Sequence, residues 1–344
     1  MLSILLKPSL WRRSPEGKKA HLGVPRFAPE QPPPLSSPAN NPDIQILILT
    51  RDRPKLLEET LASVLNQDTP VLVLVSDNSE SGETERLMGT RYPTVPYVRR
   101  RPPLSSLDHF ATLIEEANAP YVALFHDDDV MMDNFAATLR EALARHPGAS
   151  AVAGDAFVIF GEHRTTKRVM RQRKDRMVVD SKEFLQPYLS LGPDKPPPFP
   201  GYLYRLAAIK GLALVSAEGG KYADVSFLLK VLERGPILWL AKPLLWYRLH
   251  ASNDGGTEVV AHRLRLLRFL FSKGKIERRS AAITEYRLQY WIQWWFKIAH
   301  YGLLTPLSRP RDRVVRRFIF QTTCKVAFTR IAPWHKLVAK LWKV

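Results

Sequence analysis

Cysteine is almost absent from this 344-residue chain. Cys324 stands alone, so no disulfide can form within it, and neither CxxC nor Cys/His zinc spacing occurs. That usage fits a reducing, cytoplasmic setting. Long apolar runs are missing too. The opening segment from Met1 to Leu6 is cut short by Lys7 and Pro8, below the length of a signal-peptide apolar core, and no later stretch holds about 18 apolar residues in a row. Neither secretion nor membrane spanning is expected. Acidic charge is scarce at one end only: residues 261–344 hold 19 basic and 3 acidic residues, a net +16, whereas residues 43–260 come to −2 and residues 1–42 to +4. The overall +18 therefore belongs to the ends. A basic appendage on a near-neutral domain points to an anionic partner, either a membrane surface or nucleic acid.

What is present builds a core. Apolar residues make up 45% of the chain, ample for one large domain or two of ordinary size. Residues 1–42 read as a linker, because Pro29, Pro32, Pro33, Pro34, Pro38 and Pro42 favour extended geometry and bury little. Order is expected from Ile44 to Leu49, a strand, followed by a helix carrying Leu56, Leu57, Leu61, Val64 and Leu65 at helical spacing and a second strand, Val71 to Val75, too apolar to face water. Further helices are expected over Leu107 to Ala117, Asn134 to Arg145 and Tyr222 to Glu233. Strands are expected at Tyr121 to Phe125, Ala151 to Ala153 and Ile237 to Leu240. Arg164 to Arg176 reads as a solvated loop, with a flap as the alternative. Alternating strands and helices imply a mostly parallel α/β sheet whose carboxyl-end loops form the site.

The most informative junction is Asp127-Asp128-Asp129, directly after the strand that ends at Phe125 and His126. Carboxylates packed this closely raise one another's pKa unless a positive group sits among them, most economically a divalent cation. The alternative is a solvated turn in which Asp133 caps the next helix. Asp77 ends the second strand and Asp224 opens a later helix, so three acidic sites stand at loop mouths; each has a local reading too, an Asx-turn for Asp77 and a helix cap for Asp224.

In this order, Leu49-Thr50-Arg51-Asp52-Arg53-Pro54, Val75-Ser76-Asp77-Asn78-Ser79, His126-Asp127-Asp128-Asp129 and Tyr222-Ala223-Asp224-Val225 resemble glycosyltransferase family 2. So does the run Pro243 to His250, and the likeness covers residues 43 to 253. The resemblance implies a GT-A fold: a Rossmann-like, mostly parallel sheet flanked by helices. It implies that Thr50, Asp52, Asp77 and Asp127 bind a nucleotide-sugar, with Asp77 accepting from uracil N3–H. It further implies that Asp128 and Asp129, with His250, hold Mn²⁺ or Mg²⁺ on the diphosphate, and that Asp224 is the general base of an inverting transfer. Where relatives often carry Glu-Asp this chain has Ala223-Asp224, so a supporting carboxylate is missing.

The expected organisation is thus a Pro-rich segment over 1–42, a GT-A domain over 43–260 and a basic, aromatic helical extension over 261–344. In the extension Leu264, Leu267 and Phe271 recur at helical spacing, as do Trp291, Trp295 and Ile298, and then Trp334, Leu337, Val338 and Leu341. Tryptophan with lysine and arginine suits a membrane interface, although the same stripes could close a helical subdomain. No nucleic-acid motif accompanies the charge, so nucleic acid is not an expected partner. The expected protein is a cytoplasmic enzyme at the inner face of the cytoplasmic membrane, moving a sugar from a UDP-sugar to a lipid-linked or polysaccharide acceptor. The alternatives are other metal-dependent phosphate chemistry and a catalytically silent nucleotide-sugar scaffold.

Overall fold

The first strand, β1 (Ile44–Thr50), is buried along its whole length and lies inside the sheet. Its side chains alternate: Leu47 and Leu49 join the core on one face, and Ile44, Ile46 and Ile48 the core on the other. A strand covered on both faces is apolar at nearly every position; the exception within it, Gln45, has its Oε1 satisfied by the Asn118 N–H at 3.1 Å. The computed structural model describes residues 42–189, 195–249 and 260–286.

After β1 come α1 (Pro54–Leu65), β2 (Leu72–Asp77), α2 (Glu83–Arg91), β3 (Tyr97–Arg99), α3 (Ser106–Glu116), β4 (Tyr121–His126), β5 (Val130–Met131) and α4 (Phe135–Arg145). The chain continues through β6 (Ala151–Phe160), β7 (His163–Arg168), β8 (Arg176–Val178), α5 (Ser181–Leu189), β9 (Tyr202–Arg205), α6 (Leu206–Ile209) and α7 (Ser216–Gly219). It closes with α8 (Ala223–Glu233), β10 (Ile237–Leu249) and α9 (Val260–Ser272). The sheet order is β3-β2-β1-β4-β9-β6-β10-β5. β1 pairs in parallel with both β2 and β4, while β9 runs antiparallel between β4 and β6. The order runs outward from β1 to β3 and then returns past β1 to β4. The switch point of this open sheet is therefore the crevice between β1 and β4, where α/β sheets bind ligands. The register Thr50↔Asp77 and Leu49↔His126 brings the carboxyl ends of β1, β2 and β4 to one level.

Helices α1 and α4 cover one face with Leu57, Leu61, Val64, Phe135, Leu139 and Leu143. The other face is covered by α3, α5 and α8, with Leu113, Phe184, Phe227 and Leu228 among their buried side chains. Pro54 opens α1 at a position where its missing N–H costs nothing. Ser105 caps α3 by accepting from the Asp108 N–H at 3.2 Å.

Several expectations need correction. Asp133 does not cap α4: Asn134 holds the N-cap position without a side-chain bond, and Asp133 instead accepts from Asn66 Nδ2 at 3.1 Å. The basic stretch expected as a loop contributes the edge strands β7 and β8, paired to β6 and β10. Strand β10 is much longer than Ile237 to Leu240, because register shifts beside Pro243 let the ladder continue past it. Near the chain's end, α9 buries Leu266, Leu267, Phe269 and Leu270 in the same core as α8. Leu264 stays exposed and Phe271 packs against that core partly buried. Trp291 and the later aromatic positions lie outside the described residues, as do residues 1–41, including most of the expected linker. No helix among the described residues is long and apolar enough to cross a membrane.

Candidate active site

Strand β4 ends at His126 and delivers Asp127, Asp128 and Asp129 into the β1–β4 crevice, all three buried. Their partners come from far along the chain. Asp127 Oδ2 accepts from Thr50 Oγ1 at 2.8 Å and from the Arg51 N–H at 3.2 Å. Arg53, partly exposed at the start of α1, pairs with Asp127 at 2.9 Å and Asp128 at 2.7 Å. Asp129 Oδ1 accepts the Arg248 N–H at 2.8 Å, and its backbone carbonyl accepts from Thr60 Oγ1 at 2.7 Å. The Arg248 side chain, buried on β10, donates to the carbonyls of Asp128 (2.8 Å) and Gly161 (2.7 Å) and to the Glu59 carboxylate.

Burial dominates the electrostatics here. It pushes the Asp127 carboxyl up to about 6 against the opposing pull of Arg53 and the bonds from Thr50 and Arg51. Asp129 is held well above the usual carboxylate range by burial and by Asp128, with Arg248 pulling the other way. His126 is pushed down by burial and by Arg53.

Two buried oxygens in this cluster lack a hydrogen bond: Asp127 Oδ1, which is ion-paired with Arg53 at 2.9 Å, and Asp129 Oδ2, which stands 3.9 Å from His126 Nδ1. Ligand atoms from His126, Asp128 and Asp129 lie within 4.8 Å of one another. Two carboxylates, one imidazole and an unsatisfied buried oxygen form a donor set that fits a divalent cation, Mn²⁺ better than Mg²⁺ because of the nitrogen. Sequence reasoning passed over His126 as a ligand, although its place directly before the triplet was the available signal. His250 lies outside the described residues.

Asp52 and Asp77 stand beside the cluster in the β1 and β2 loops. Asp52 adopts a left-handed backbone (φ 52°), which aspartate tolerates better than most residues, and its carboxylate accepts from the N–H groups of Glu80 (3.1 Å) and Ser81 (3.2 Å). It clamps the two loops together. Asp77 is fully buried: Oδ1 accepts from the Ser79 N–H at 2.8 Å, an Asx-turn, and Oδ2 from Tyr97 Oη at 2.6 Å. Each oxygen keeps a lone pair for a further donor. Behind Asp77, Arg100 Nε donates to Ser76 Oγ at 2.8 Å, and Ser76 lies 2.7 Å from His109 Nε2. Burial, with Arg100 beside it, keeps His109 neutral down to about pH 4.

Asp224 sits apart, half-buried in the first turn of α8. Burial raises its pKa to about 6, partly offset by backbone N–H donation from Val225 and from its own residue. Its charge also helps hold the hydroxyls of Tyr188, Tyr202 and Tyr204 protonated. An aromatic wall links α8 to the acidic cluster. His126 and Phe199 are 6.2 Å apart, Phe199 and Phe227 6.1 Å, and Phe227 and Tyr204 5.9 Å between ring centroids. The floor of one candidate site thus joins the acidic cluster to the helix that bears Asp224.

A mostly parallel sheet with an acidic triplet at its switch point and helices on both faces defines the GT-A class of nucleotide-sugar enzymes. Residues 45–202 match the family model described as glycosyl transferase family 2. Residues 45–202 are thus a glycosyl transferase family 2 domain, and the described residues adopt a GT-A fold. Among solved structures it is similar to S. aureus TarS residues 1–349, at 15% identity and a TM-score of 0.50, over 73% of this chain and 77% of that one. It is also similar to the same TarS fragment in complex with UDP-GlcNAc, at 16% identity and a TM-score of 0.51, over 73% and 78% of the two chains. At this identity the likeness speaks for the fold. No curated protein matches the sequence.

Proposed function

We propose that this glycosyltransferase is inverting and metal-assisted, and that it moves a sugar from a UDP-sugar to a hydroxyl of a lipid-linked or polysaccharide acceptor in surface glycan assembly. The carrying observation is the β4 terminus, where Asp129 Oδ2 is buried without a partner beside Asp128 and His126 at the sheet's switch point. A UDP donor is supported by TarS, which shares the fold and is crystallised with UDP-GlcNAc.

In this reading Thr50 and the Arg51 N–H orient Asp127 toward the ribose, and Asp77 offers its remaining lone pairs to the base. His126, Asp128 and Asp129 are the groups that would hold Mn²⁺; His250 is a further proposed ligand. When bound, the cation supplies positive charge that stabilises the departing diphosphate. Arg53 adds a fixed positive charge at the mouth of the same crevice. Asp224 accepts the proton of the acceptor hydroxyl as that oxygen attacks the anomeric carbon from the face opposite the leaving group. The bond to the diphosphate breaks in the same step, and the electron pair leaves with UDP. A carboxylate with a pKa near 6 is well matched to this work at neutral pH: it is mostly ionised, yet more basic than an ordinary aspartate.

The test is calorimetric titration of UDP with and without Mn²⁺. Asp128→Ala should abolish the metal-dependent part of binding, since one of two hard anionic ligands is lost. Unchanged UDP affinity in Mn²⁺ for both Asp128→Ala and Asp129→Ala would refute the metal assignment. Transfer from labelled UDP-sugars to membrane extracts then reads out the acceptor.

A further inference from the structure

Outside the acidic cluster, the basic stretch between β7 and β8 lines a cavity of about 550 Å³ together with the C-terminal part of α5, Lys195 and β10. Arg173, Lys174, Arg176 and Lys195 all face it, and Pro187 and Trp239 form apolar wall. One acid, Asp175, lines the cavity as well, and its Oδ1 accepts the Ala241 N–H at 2.8 Å. Arg176 lies over the Trp239 ring at 5.9 Å, donates to the Glu183 carbonyl at 3.4 Å and stands 4.0 Å from the Glu183 carboxylate. Arg173 and Lys174 are exposed, with no ion pair among the described residues. Lys195 is half-buried, and burial pushes its ammonium below the ordinary range. Arg173 and Lys174, adjacent and exposed at the cavity, repel one another, and a bound anion relieves that repulsion.

The cavity adjoins the proposed base through its wall. Trp239 is buried beside Tyr202, the two side chains interact, and Tyr202 in turn senses the charge of Asp224. Phe184 continues the same wall, packing on Trp239 at 5.8 Å and on Tyr188 at 5.4 Å, and Tyr188 also senses Asp224. One aromatic wall thus runs from the cavity toward the helix that bears Asp224.

We propose that this cavity binds a phosphoryl group of the acceptor, so that sugar is transferred to a hydroxyl on a phosphate-bearing molecule. The proposal rests on the glycosyltransferase reading and on Asp224 as its base, and it narrows the acceptor to a chemical class. Arginine and lysine together suit it: guanidinium forks bind phosphate oxygens in pairs and ammonium groups add point charge.

Inorganic phosphate is the probe, titrated into UDP-saturated protein with Mg²⁺ so that the donor crevice is filled, and followed by phosphorus NMR. Wild-type protein should bind phosphate, and Arg173→Gln/Lys174→Gln should bind it about tenfold more weakly or worse. The charge-keeping Arg173→Lys/Lys174→Arg variant should bind it nearly normally. UDP affinity should be equal in all three, which also certifies folding. Phosphate affinity that is undetectable in the wild type, or unchanged in the charge-removing variant, overturns the proposal while UDP binding stands. If UDP itself fails to bind, the donor reading falls, and the same titration without UDP tests the cavity independently. Short-chain phosphatidylglycerol against short-chain phosphatidylcholine, both kept below their micelle concentrations so that the basic last 84 residues have no charged bilayer to bind, separate the sources of phosphate. Loss of phosphatidylglycerol binding alongside phosphate assigns a lipid headgroup, and loss of phosphate binding alone assigns a non-lipid phosphate.

Discussion

Replacing Arg248 by methionine keeps the length of a buried side chain and removes the charge that organises the acidic triplet. Arg248 is 5% exposed, and its guanidinium donates to the Asp128 carbonyl at 2.8 Å, to the Gly161 carbonyl at 2.7 Å and to Glu59. The bond from its backbone N–H to Asp129 Oδ1 survives the substitution. Removing one partner from a buried charged network costs about 3–5 kcal/mol. Two features place this site at the low end: Glu59 is partly exposed and rehydrates, and the desolvation of the guanidinium is relieved. We expect about 3 kcal/mol, which for a domain of this size lowers the melting temperature by roughly 6–12 °C. There is a second, functional consequence. Arg248 opposes the burial that raises the Asp129 pKa, so its loss leaves Asp129 protonated over a wider pH range and weakens Mn²⁺-dependent UDP binding. Arg248→Lys keeps the charge without the fork and should fall between the two in both readouts. Scanning calorimetry and UDP titration in Mn²⁺ measure them. A melting shift under about 2 °C together with unchanged UDP affinity, or a lysine variant less stable than the methionine variant, would show that Arg248 does not hold the triplet.

Asp224→Asn should leave UDP affinity intact and reduce turnover by roughly 10²-fold or more; transfer at the wild-type rate by a folded variant would make Asp224 a helix cap only. In the wild type, kcat should fall as pH drops through about 6, because protonation then removes the base; a flat profile from pH 5 to 8 would contradict this. His109 gives a stability signature. Its pKa is about 4 when folded and 6.5 ordinarily, so as pH falls from 6.5 to 4 the unfolded chain takes up a proton that the folded chain refuses. Stability should drop by about 3 kcal/mol over that window, and urea unfolding of His109→Gln should show a shallower slope; equal slopes would exclude the effect. The full chain should co-sediment with anionic vesicles, weakened by salt, because its last 84 residues carry +16; equal binding to neutral vesicles would remove the electrostatic basis.

Elements buried on both faces were legible in the sequence, since burial forces them to be apolar throughout. β1 and β4 fall where their apolar runs lie, and α1, α3, α4 and α8 within a residue or two of their periodic stripes; β2 lies where expected too, but it is not closed off from water, for Leu72 at its start is 39% exposed. Other elements carry no such mark. β9 is four residues long, shares its neighbourhood with several prolines, and is strand only because β4 and β6 leave a gap for it. β7 is polar because it is an edge strand paired to β6 alone, and its charges made it read as a loop. Gly154 in β6 looks like a weak point in a strand, yet a Cβ there would stand 2.7 Å from Leu244 Cδ1, so β10 approaches closely because the side chain is missing.

The same division runs through the site. Asp127 to Asp129 announce themselves because three carboxylates in a row are costly wherever they are buried, but the groups that offset that cost are not nearby in sequence. Thr50 is 77 residues before Asp127, and Arg248 is 119 residues after Asp129. What joins them is strand order and register: β1 beside β4 sets Thr50 next to Asp127, and β10 beside β5 carries Arg248 back over the triplet. A buried arginine in the apolar strand Pro243 to Leu249 was the one local sign of this, for arginine is rarely buried unless it is paired. The acidic triplet alone is therefore a weak signature, compatible with a solvated turn. It becomes a binding crevice only in a chain that also places a hydroxyl and an arginine after its first strand and a second arginine on a late one, and for that reason the ordered set of motifs carries more information than any member of it.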